Sequence, residues 1–304
     1  LITTISDAIL DKVIELSIAT LGSPPCKFAF MIMGSEGREE QTLVSDQDNG
    51  IVYEDLENDK DRADAAAYFS KLAELVCTHL NAAGYKFCDG ECMAKNPKWC
   101  QSLVNWKKYF HKWIYQSSPE DLLHSSIFFD FKGAWGDLEL TDKLKSFLMG
   151  SVEKRAGFLR HLTENALYFK PPIGLFGKLV VESEGEHKDS FNIKSAMQPI
   201  VDFARIYSLK HGIVQTNTLT RLFRLYTKHV LTNQQYIDLV QTYNYAMHLR
   251  FLRQITTIID EEKQPDNYIN SKNLSYLDKA MLKEVFKKIG QFQQKLKAEF
   301  LGTT

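Results

Sequence analysis

The chain has 304 residues, of which 44% are hydrophobic and 25% are charged, and its formal net charge is −1. This composition is typical of a globular protein with a sizeable core, and the length predicts two domains. Acidic and basic residues are mixed without a basic stripe and no apolar run reaches the length of a membrane span, so we expect neither a nucleic-acid partner nor a membrane.

The five cysteines are an odd number in a large chain. Together with the lack of a secretory signal, this favours the reducing environment of the cytoplasm. Cys88, Cys92 and Cys100 lie close together in the sequence, with His111 beyond them. A zinc site is one interpretation, but the spacings do not match a known finger pattern. We therefore expect buried free thiols.

Hydrophobic periodicity and turn residues predict two different halves. Ser6 is the expected cap of the first helix. The elements predicted for the first half are a helix at 6–21, strands at 27–33 and directly after residue 48, a helix at 62–83, a strand at 85–87, a helix at 102–115 and a strand at 125–132. In the helix at 102–115 we expect Trp106, Phe110 and Trp113 to serve core packing rather than base stacking.

From about residue 140 the pattern changes to long helices with short connections, which predicts a helical bundle. We therefore expect an α+β chain with a first domain at 1–142 and a second at 143–304. The helices predicted for the second domain are 152–169, 195–211, 218–228, 233–254 and 277–301.

The segment around Gly34 and Ser35 is the most informative part of the first domain. Residues 27–33 are almost all apolar, which predicts a buried strand. Glycine lets the backbone approach a ligand closely, and amides at the start of a helix can hold phosphate. The pair is therefore a candidate phosphate-binding turn, whereas a Gly-Ser turn alone would be unremarkable.

Asp46 and Asp48 stand at the entrance of the next strand. In an extended chain residues i and i+2 project to one side, so the two carboxylates point the same way and Gln47 points the other way. Two negative charges this close repel each other unless a cation neutralises them, and oxygen ligands suit Mg²⁺. The pair predicts a metal site, whereas an isolated Asp-x-Asp is more often a solvated turn.

Asp130 lies within the predicted strand at 125–132. Because burial of an unpaired carboxylate is costly, Asp130 must be paired with a cation, protonated, at the edge of the sheet, or facing a metal.

The string Gly34-Ser-Glu-Gly-Arg-Glu-Glu-Gln-Thr-Leu-Val-Ser-Asp46-Gln-Asp48-Asn resembles the DUF294 branch of the polymerase-beta-like nucleotidyltransferase superfamily, which is related to the protein-PII uridylyltransferases. Residues 88–100 are similar to a segment of that branch to which we assign no role. Residues 199–213 are similar to its C-terminal substrate-binding domain. The resemblance covers roughly residues 5–300. It implies a small mixed-sheet nucleotidyltransferase domain followed by an all-α substrate-binding domain.

The resemblance also implies an activity, the transfer of UMP or AMP from UTP or ATP to a protein or small-molecule acceptor, with pyrophosphate leaving. Asp46 and Asp48 would hold Mg²⁺, or Mn²⁺. Asp130 would be the third carboxylate, which completes the metal site and draws the proton from the acceptor hydroxyl. Gly34 and Ser35 would contact the outgoing phosphates.

Arg38, Asp130 and the pair Asp202 and Arg205 each allow two interpretations. Arg38 is a cationic clamp for phosphate or an outward-facing arginine paired with Glu39 or Glu40. Asp130 is a metal ligand or is bonded to a nearby Arg or Lys. Asp202 and Arg205, three residues apart on one predicted helix, are expected to form an ion pair rather than a substrate clamp.

Two other functions remain open. The chain could be a regulatory module that binds nucleotide, or nothing, and passes signals between neighbouring domains. It could also modify a small molecule, as nucleotidyltransferases of the aminoglycoside type do. The chain begins with Leu1 rather than Met, and bacterial members of the branch are often joined to CBS and cyclic-nucleotide-binding domains. We therefore expect such domains upstream and a role in signal transduction.

Overall fold

The computed structural model describes residues 1–174 and 177–302, and the chain divides into two compact units. The first unit runs from Leu1 to Arg155, and the second begins at Ala156. The boundary predicted at residue 142 lies inside the helix Leu138–Glu153, which packs on strands of the first unit. The units therefore separate after this helix.

The first unit is built on a four-stranded mixed sheet. The strand order is β3-β2-β1-β4, in which β1 is antiparallel to β2 and β4, and β2 is parallel to β3. The elements are α1 (Ile2–Leu21), β1 (Phe28–Ile32), α2 (Gly34–Gly37), β2 (Asn49–Tyr53), α3 (Asp59–Ala82), β3 (Cys100–Ser102), α4 (Leu103–Gln116), α5 (Pro119–Phe128), β4 (Lys132–Gly136) and α6 (Leu138–Glu153).

One face of this sheet forms the main core of the first unit. Phe28, Phe30 and Ile32 alternate along β1 and pack with Ile51 of β2 in a buried cluster that includes residues of α1 and α3. This is the side-chain period of a strand with one face on a core. Because all of β1 is buried on both faces, the opposite face must be covered as well.

The aromatic helix α4 covers the opposite face. A Cβ on Gly50 of β2 would lie 3.1 Å from the Trp106 ring, and the indole N–H of Trp106 donates to the carbonyl of Ile51 at 2.9 Å. Phe110 and Trp113 are also buried. The core-packing interpretation of the three aromatic residues is thereby confirmed.

The strand predicted at 125–132 is wrong. Ser118 and Asp121 form a reciprocal capping box that starts α5, and this helix continues to Phe128. Asp130 lies in the turn between α5 and β4. The apolar run that suggested a strand buries the end of a short helix and the turn after it, and periodicity alone does not separate these cases.

Two smaller predictions in the first unit are also wrong. Residues 85–87 form no strand, only an isolated bridge between Lys86 and Asp46. Ser6 does not cap α1, which begins at Ile2, and instead it is buried and accepts a hydrogen bond from the Tyr85 hydroxyl at 2.8 Å.

The second unit is helical, with α8 packed against each of its other helices in the described ranges. The helix predicted at 152–169 is interrupted near Arg155, which separates α6 from α7. A small antiparallel sheet was not predicted. The elements are α7 (Ala156–Ala166), β5 (Ser190–Asn192), α8 (Ile193–Lys210), α9 (Thr218–Thr227), α10 (Asn233–Ile259), β6 (Tyr268–Asn270) and α11 (Tyr276–Leu301).

Taken together, the structure is α+β, as predicted, with a mixed-sheet unit followed by a helical one. Among the described residues, no helix combines the length and apolarity needed to cross a bilayer.

Candidate active site

The candidate site lies where the C-terminal end of β1 meets the N-terminal end of β2. Ile32 faces Asn49 across the antiparallel pair, and the Met33 N–H donates to the Asp48 carbonyl at 2.8 Å. Gly34 then turns the chain into α2 with a φ of +56°, in the left-handed region that favours glycine. A Cβ at this position would lie 2.6 Å from Asp48 Oδ2. Glycine therefore lets the Asp48 carboxylate lie directly against the turn.

The side chain between the two aspartates holds their segment in place. Gln47 is buried, and its amide donates to the carbonyls of Cys77 (3.0 Å) and Tyr85 (2.8 Å). Asp46 is exposed and Asp48 is half-buried. This pattern fits an extended segment in which the two carboxylates project away from the core on the side opposite Gln47.

Ser35 lies in α2 and Arg38 follows its last residue, and the two side chains have different surroundings. Ser35 is half-buried, close to the Gly34 turn. Arg38 is 11% exposed, and its guanidinium donates to Glu40 and to Asp130, both at 2.8 Å. Burial opposes the charge of Arg38, but the two carboxylates outweigh it and raise the pKa of Arg38. Arg38 is therefore an internal ion-pair partner: the expected pairing with Glu40 is present, but the guanidinium faces inward to two carboxylates rather than outward.

Asp130 is fully buried and bonded to Arg38. Its backbone also lies close to α2, because a Cβ on Gly37 would be 2.0 Å from the Asp130 carbonyl oxygen. Within residues 1–174 and 177–302, no group of three or more His, Cys, Asp or Glu side chains is arranged to hold a metal ion. The structure thus does not bring Asp46, Asp48 and Asp130 together as a three-carboxylate centre. Asp130 fits the alternative, a carboxylate neutralised by a neighbouring arginine.

Glu36 is a buried titratable residue of α2 that the sequence did not single out. Burial, followed by the negative charge of Asp7, raises the pKa of Glu36 to about 7, against the opposing effects of the neighbouring Gln41 amide and the charge of Lys132. The only signal in the sequence was its position between Ser35 and the glycine that follows it. Its side chain can change protonation near neutral pH.

The segment after α3, to which the sequence assigned no role, lies beside the site. The Asn49 N–H donates to the Cys92 carbonyl at 3.0 Å, and the Asn49 side-chain oxygen accepts the Ala94 N–H at 2.8 Å. These bonds fasten the segment to the first residue of β2. Residues 88–94 are therefore held next to Asp48.

Two cysteines of this segment contact each other and the site. The Cys88 side chain lies beside the thiol of Cys92 and the Asp48 carboxylate, and the interaction with Cys92 lowers the pKa of Cys88. The same contact raises the pKa of Cys92. All five cysteines are free thiols, and Cys92 is buried. The sequence showed that Cys88 and Cys92 are near each other but not that they are near Asp48.

In the second unit, Asp202 and Arg205 form the expected ion pair. Arg205 Nη1 lies 2.5 Å from Asp202 Oδ1, and both residues are buried. Gln198 donates to the same carboxylate oxygen at 2.9 Å. These contacts are internal to α8, which agrees with a structural role.

Comparisons with known protein families match both units. The family model described as "Putative nucleotidyltransferase DUF294" matches residues 1–120. The model described as "Putative nucleotidyltransferase substrate binding domain" matches residues 156–300. No curated protein matches the chain. With one model over the strand-turn-strand site and the other over the helical unit, the chain belongs to the DUF294 nucleotidyltransferase family.

Proposed function

We propose that the chain is a metal-dependent nucleotidyltransferase that moves UMP or AMP from the triphosphate to a protein or small-molecule acceptor in signal transduction. The observation that carries the proposal is the contact between the Gly34 turn and the Asp48 carboxylate. It joins a backbone turn able to approach phosphate to an oxygen ligand suited to a divalent cation. Family membership supports nucleotidyl transfer at this coarse level.

Asp46 and Asp48 are the residues that would hold Mg²⁺ or Mn²⁺. Their carboxylates are hard oxygen donors, and the exposure of Asp46 leaves the pair open to a ligand from solvent. When bound, the metal would neutralise triphosphate charge and help to align the reacting groups. Gly34 and Ser35 would bind the outgoing phosphates through the backbone amide and the hydroxyl.

In this proposal Asp130 is a positioning residue and not a metal ligand. Its ion pair with Arg38 links the turn before β4 to α2, which carries Ser35. The ion pair would keep the Gly34 turn in its position against Asp48. For the second unit, the description of its family model supports substrate binding, and we propose that this unit binds the acceptor.

A second candidate function is a regulatory module that binds nucleotide without transferring it. The observation that favours it is the engagement of Asp130 by Arg38, which leaves Asp46 and Asp48 as the acidic pair at the strand ends. CBS or cyclic-nucleotide-binding domains upstream would supply its signal. Either function suits the cytoplasm, whose reducing environment keeps free thiols as the resting form.

A transfer assay separates the two candidates. The full chain is incubated with Mg²⁺ and UTP or ATP labelled at the α-phosphate, with cell lysate as the source of acceptor. Label should appear in an acceptor with release of pyrophosphate, and both should be lost in the double variant Asp46→Asn, Asp48→Asn. The matched control, Asp89→Asn, removes a neighbouring exposed carboxylate and should retain activity.

Each outcome of this assay supports one candidate function or contradicts the proposed site. Labelled protein supports the transferase acting on a protein, and a small labelled product supports a small-molecule acceptor. Nucleotide binding without a labelled product favours the regulatory module. Transfer that persists in the double variant would contradict the proposed site.

A further inference from the structure

We propose that Cys88 and Cys92 are an oxidative modification site whose reversible disulfide weakens metal-nucleotide binding at Asp48. The formation of the disulfide is independent of what the chain does. Its effect on nucleotide binding rests on the proposed function.

The geometry of the turn brings the two sulfur atoms together. The Glu91 N–H donates to the Cys88 carbonyl at 2.9 Å, so the chain reverses between the cysteines. Gly90 lies in the middle of this turn, and a Cβ on it would be 3.6 Å from Cys88 Sγ and 3.8 Å from Cys92 Sγ. The Cys92 thiol donates to the Gly90 carbonyl at 3.5 Å, within the same turn. A disulfide then requires the two side chains to approach each other within one turn.

The two thiols differ in solvent exposure, and this difference predicts which of them reacts first. Cys88 is half-buried, whereas Cys92 is 3% exposed. Cys88 is therefore the thiol that an external reagent reaches first, and Cys92 is placed to attack the sulfur of Cys88 afterwards. This is the arrangement of an accessible thiol next to a resolving one.

The oxidant is a low-molecular-weight disulfide such as oxidised glutathione. The Cys88 sulfur attacks one sulfur of the reagent, its S–S bond breaks, and one small thiol leaves with the proton from Cys88. The Cys92 sulfur then attacks Cys88 Sγ, the mixed disulfide breaks, and the second small thiol leaves with the proton from Cys92. Two protein thiols are oxidised by two electrons and one small disulfide is reduced to two thiols.

The pair is coupled to the site through two contacts. The Cys88 side chain lies beside Asp48, so oxidation changes the group that faces this carboxylate. The Cys92 carbonyl accepts the N–H of Asn49, the residue after Asp48. A disulfide that draws Cys88 and Cys92 together therefore changes the surroundings of the Asp48 carboxylate from both sides.

Thiol mapping tests the disulfide without any assay of function. The full chain is equilibrated at a series of ratios of reduced to oxidised glutathione, free thiols are alkylated, and tryptic peptides are weighed. Cleavage after Lys86 and Lys95 yields one peptide with both cysteines, Phe-Cys-Asp-Gly-Glu-Cys-Met-Ala-Lys. We expect this peptide to become unalkylated and two hydrogen masses lighter under oxidising ratios, and to recover with dithiothreitol.

Serine variants test the assigned order. Cys92→Ser should trap a glutathione adduct on Cys88, whereas Cys88→Ser should leave Cys92 largely unmodified. Cys26→Ser, which removes another partly exposed thiol, should behave like the native chain. A native peptide that carries two alkyl groups or two glutathiones at every ratio would overturn the disulfide.

Calorimetric titration with Mg²⁺-ATP and Mg²⁺-UTP tests the coupling. The dissociation constant should rise about 10-fold on oxidation, return on reduction, and stay insensitive to oxidation in Cys88→Ser. Unchanged affinity in a fully oxidised chain would overturn the coupling to Asp48. If the reduced chain binds neither nucleotide, the proposed function fails, and the mapping alone decides whether the disulfide forms.

Discussion

Gly34 is the residue whose backbone lies directly against the candidate metal ligand Asp48. Replacing Gly34 by alanine would force a side chain into the left-handed region, which costs about 1–2 kcal/mol, and would place its Cβ 2.6 Å from the Asp48 carboxylate. We expect Gly34→Ala to lose metal-dependent nucleotide binding, measured by calorimetry. Gly212→Ala is the matched control, because Gly212 has a φ of +67° with open space around its Cβ position. It should be destabilised yet retain binding, and equal binding by both variants would contradict the role of Gly34.

Glu36 should make stability depend on pH near neutrality. Burial raises its pKa from 4.5 to about 7 in the folded chain. Its contribution to stability is complete below pH 4.5 and is lost as the pH rises through about 7. Glu36→Gln should remove this loss, so the variant should exceed the native chain by up to about 3 kcal/mol above pH 7. Urea unfolding at several pH values measures the difference.

The control for this prediction is Glu15→Gln, which removes an exposed carboxylate paired with Lys12. It measures the effect on stability of neutralising a carboxylate at the surface. The account of Glu36 would be contradicted if Glu36→Gln lost stability, relative to the native chain, as the pH rose.

Arg38 and Asp130 should behave as a coupled pair. Arg38→Met leaves the fully buried Asp130 carboxylate without this partner and should cost about 3–5 kcal/mol in urea unfolding. The double variant Arg38→Met, Asp130→Leu should cost clearly less than the sum of the two single variants. Breaking the exposed Lys12–Glu15 pair with Lys12→Met is the control, and it should change stability far less. Additive effects at Arg38 and Asp130 would contradict the ion pair.

Among the elements, the segment 85–94 depends on β2 for its position. Asn49→Ala removes the acceptor of the Ala94 N–H and should cost about 1–3 kcal/mol in local stability. Hydrogen exchange should accelerate in the tryptic peptide 87–95, and metal-dependent nucleotide binding should weaken. Asn105→Ala, which removes a partly buried hydrogen bond to Gln101, is the control. Unchanged exchange in Asn49→Ala would show that other contacts hold the segment.

The elements that the sequence predicts best are those with long, regular patterns. β1, α3 and α10 carry clear apolar runs or helical spacing, and each lies where that pattern puts it. The strand predicted around Asp130 fails because a short apolar run can bury a helix end as readily as a strand. The three-residue strands β5 and β6 carry too little pattern to be detected, and tertiary pairing alone defines them.

In the candidate site, contacts between residues close in the sequence are predictable, whereas contacts between distant residues are not. The approach of Gly34 to Asp48 follows from two neighbouring strands, so local sequence spacing is enough. The pairing of Arg38 with Asp130, and that of Cys88 with Asp48, join positions far apart in the sequence. Which side chain neutralises a buried carboxylate depends on the tertiary fold, which spacing alone does not encode.

On the scale of the whole molecule, the first family match ends before the first unit does. The match covers residues 1–120, whereas the unit continues to Arg155 and includes β4 and α6. β4 pairs directly with β1, the strand that leads to Gly34, and Asp130 lies just before it. Tests of activity therefore require the full chain.

The central claim is that the ends of β1 and β2 bind a nucleoside triphosphate through a divalent cation. Calorimetric titration of the full chain with ATP and UTP, each with Mg²⁺ and with EDTA, tests it most directly. We predict binding of at least one nucleotide that requires Mg²⁺, is weakened roughly 100-fold, or about 3 kcal/mol, by the double variant Asp46→Asn, Asp48→Asn, and is kept by Asp89→Asn. Absence of Mg²⁺-dependent binding, or equal affinity in the double variant, would contradict the claim.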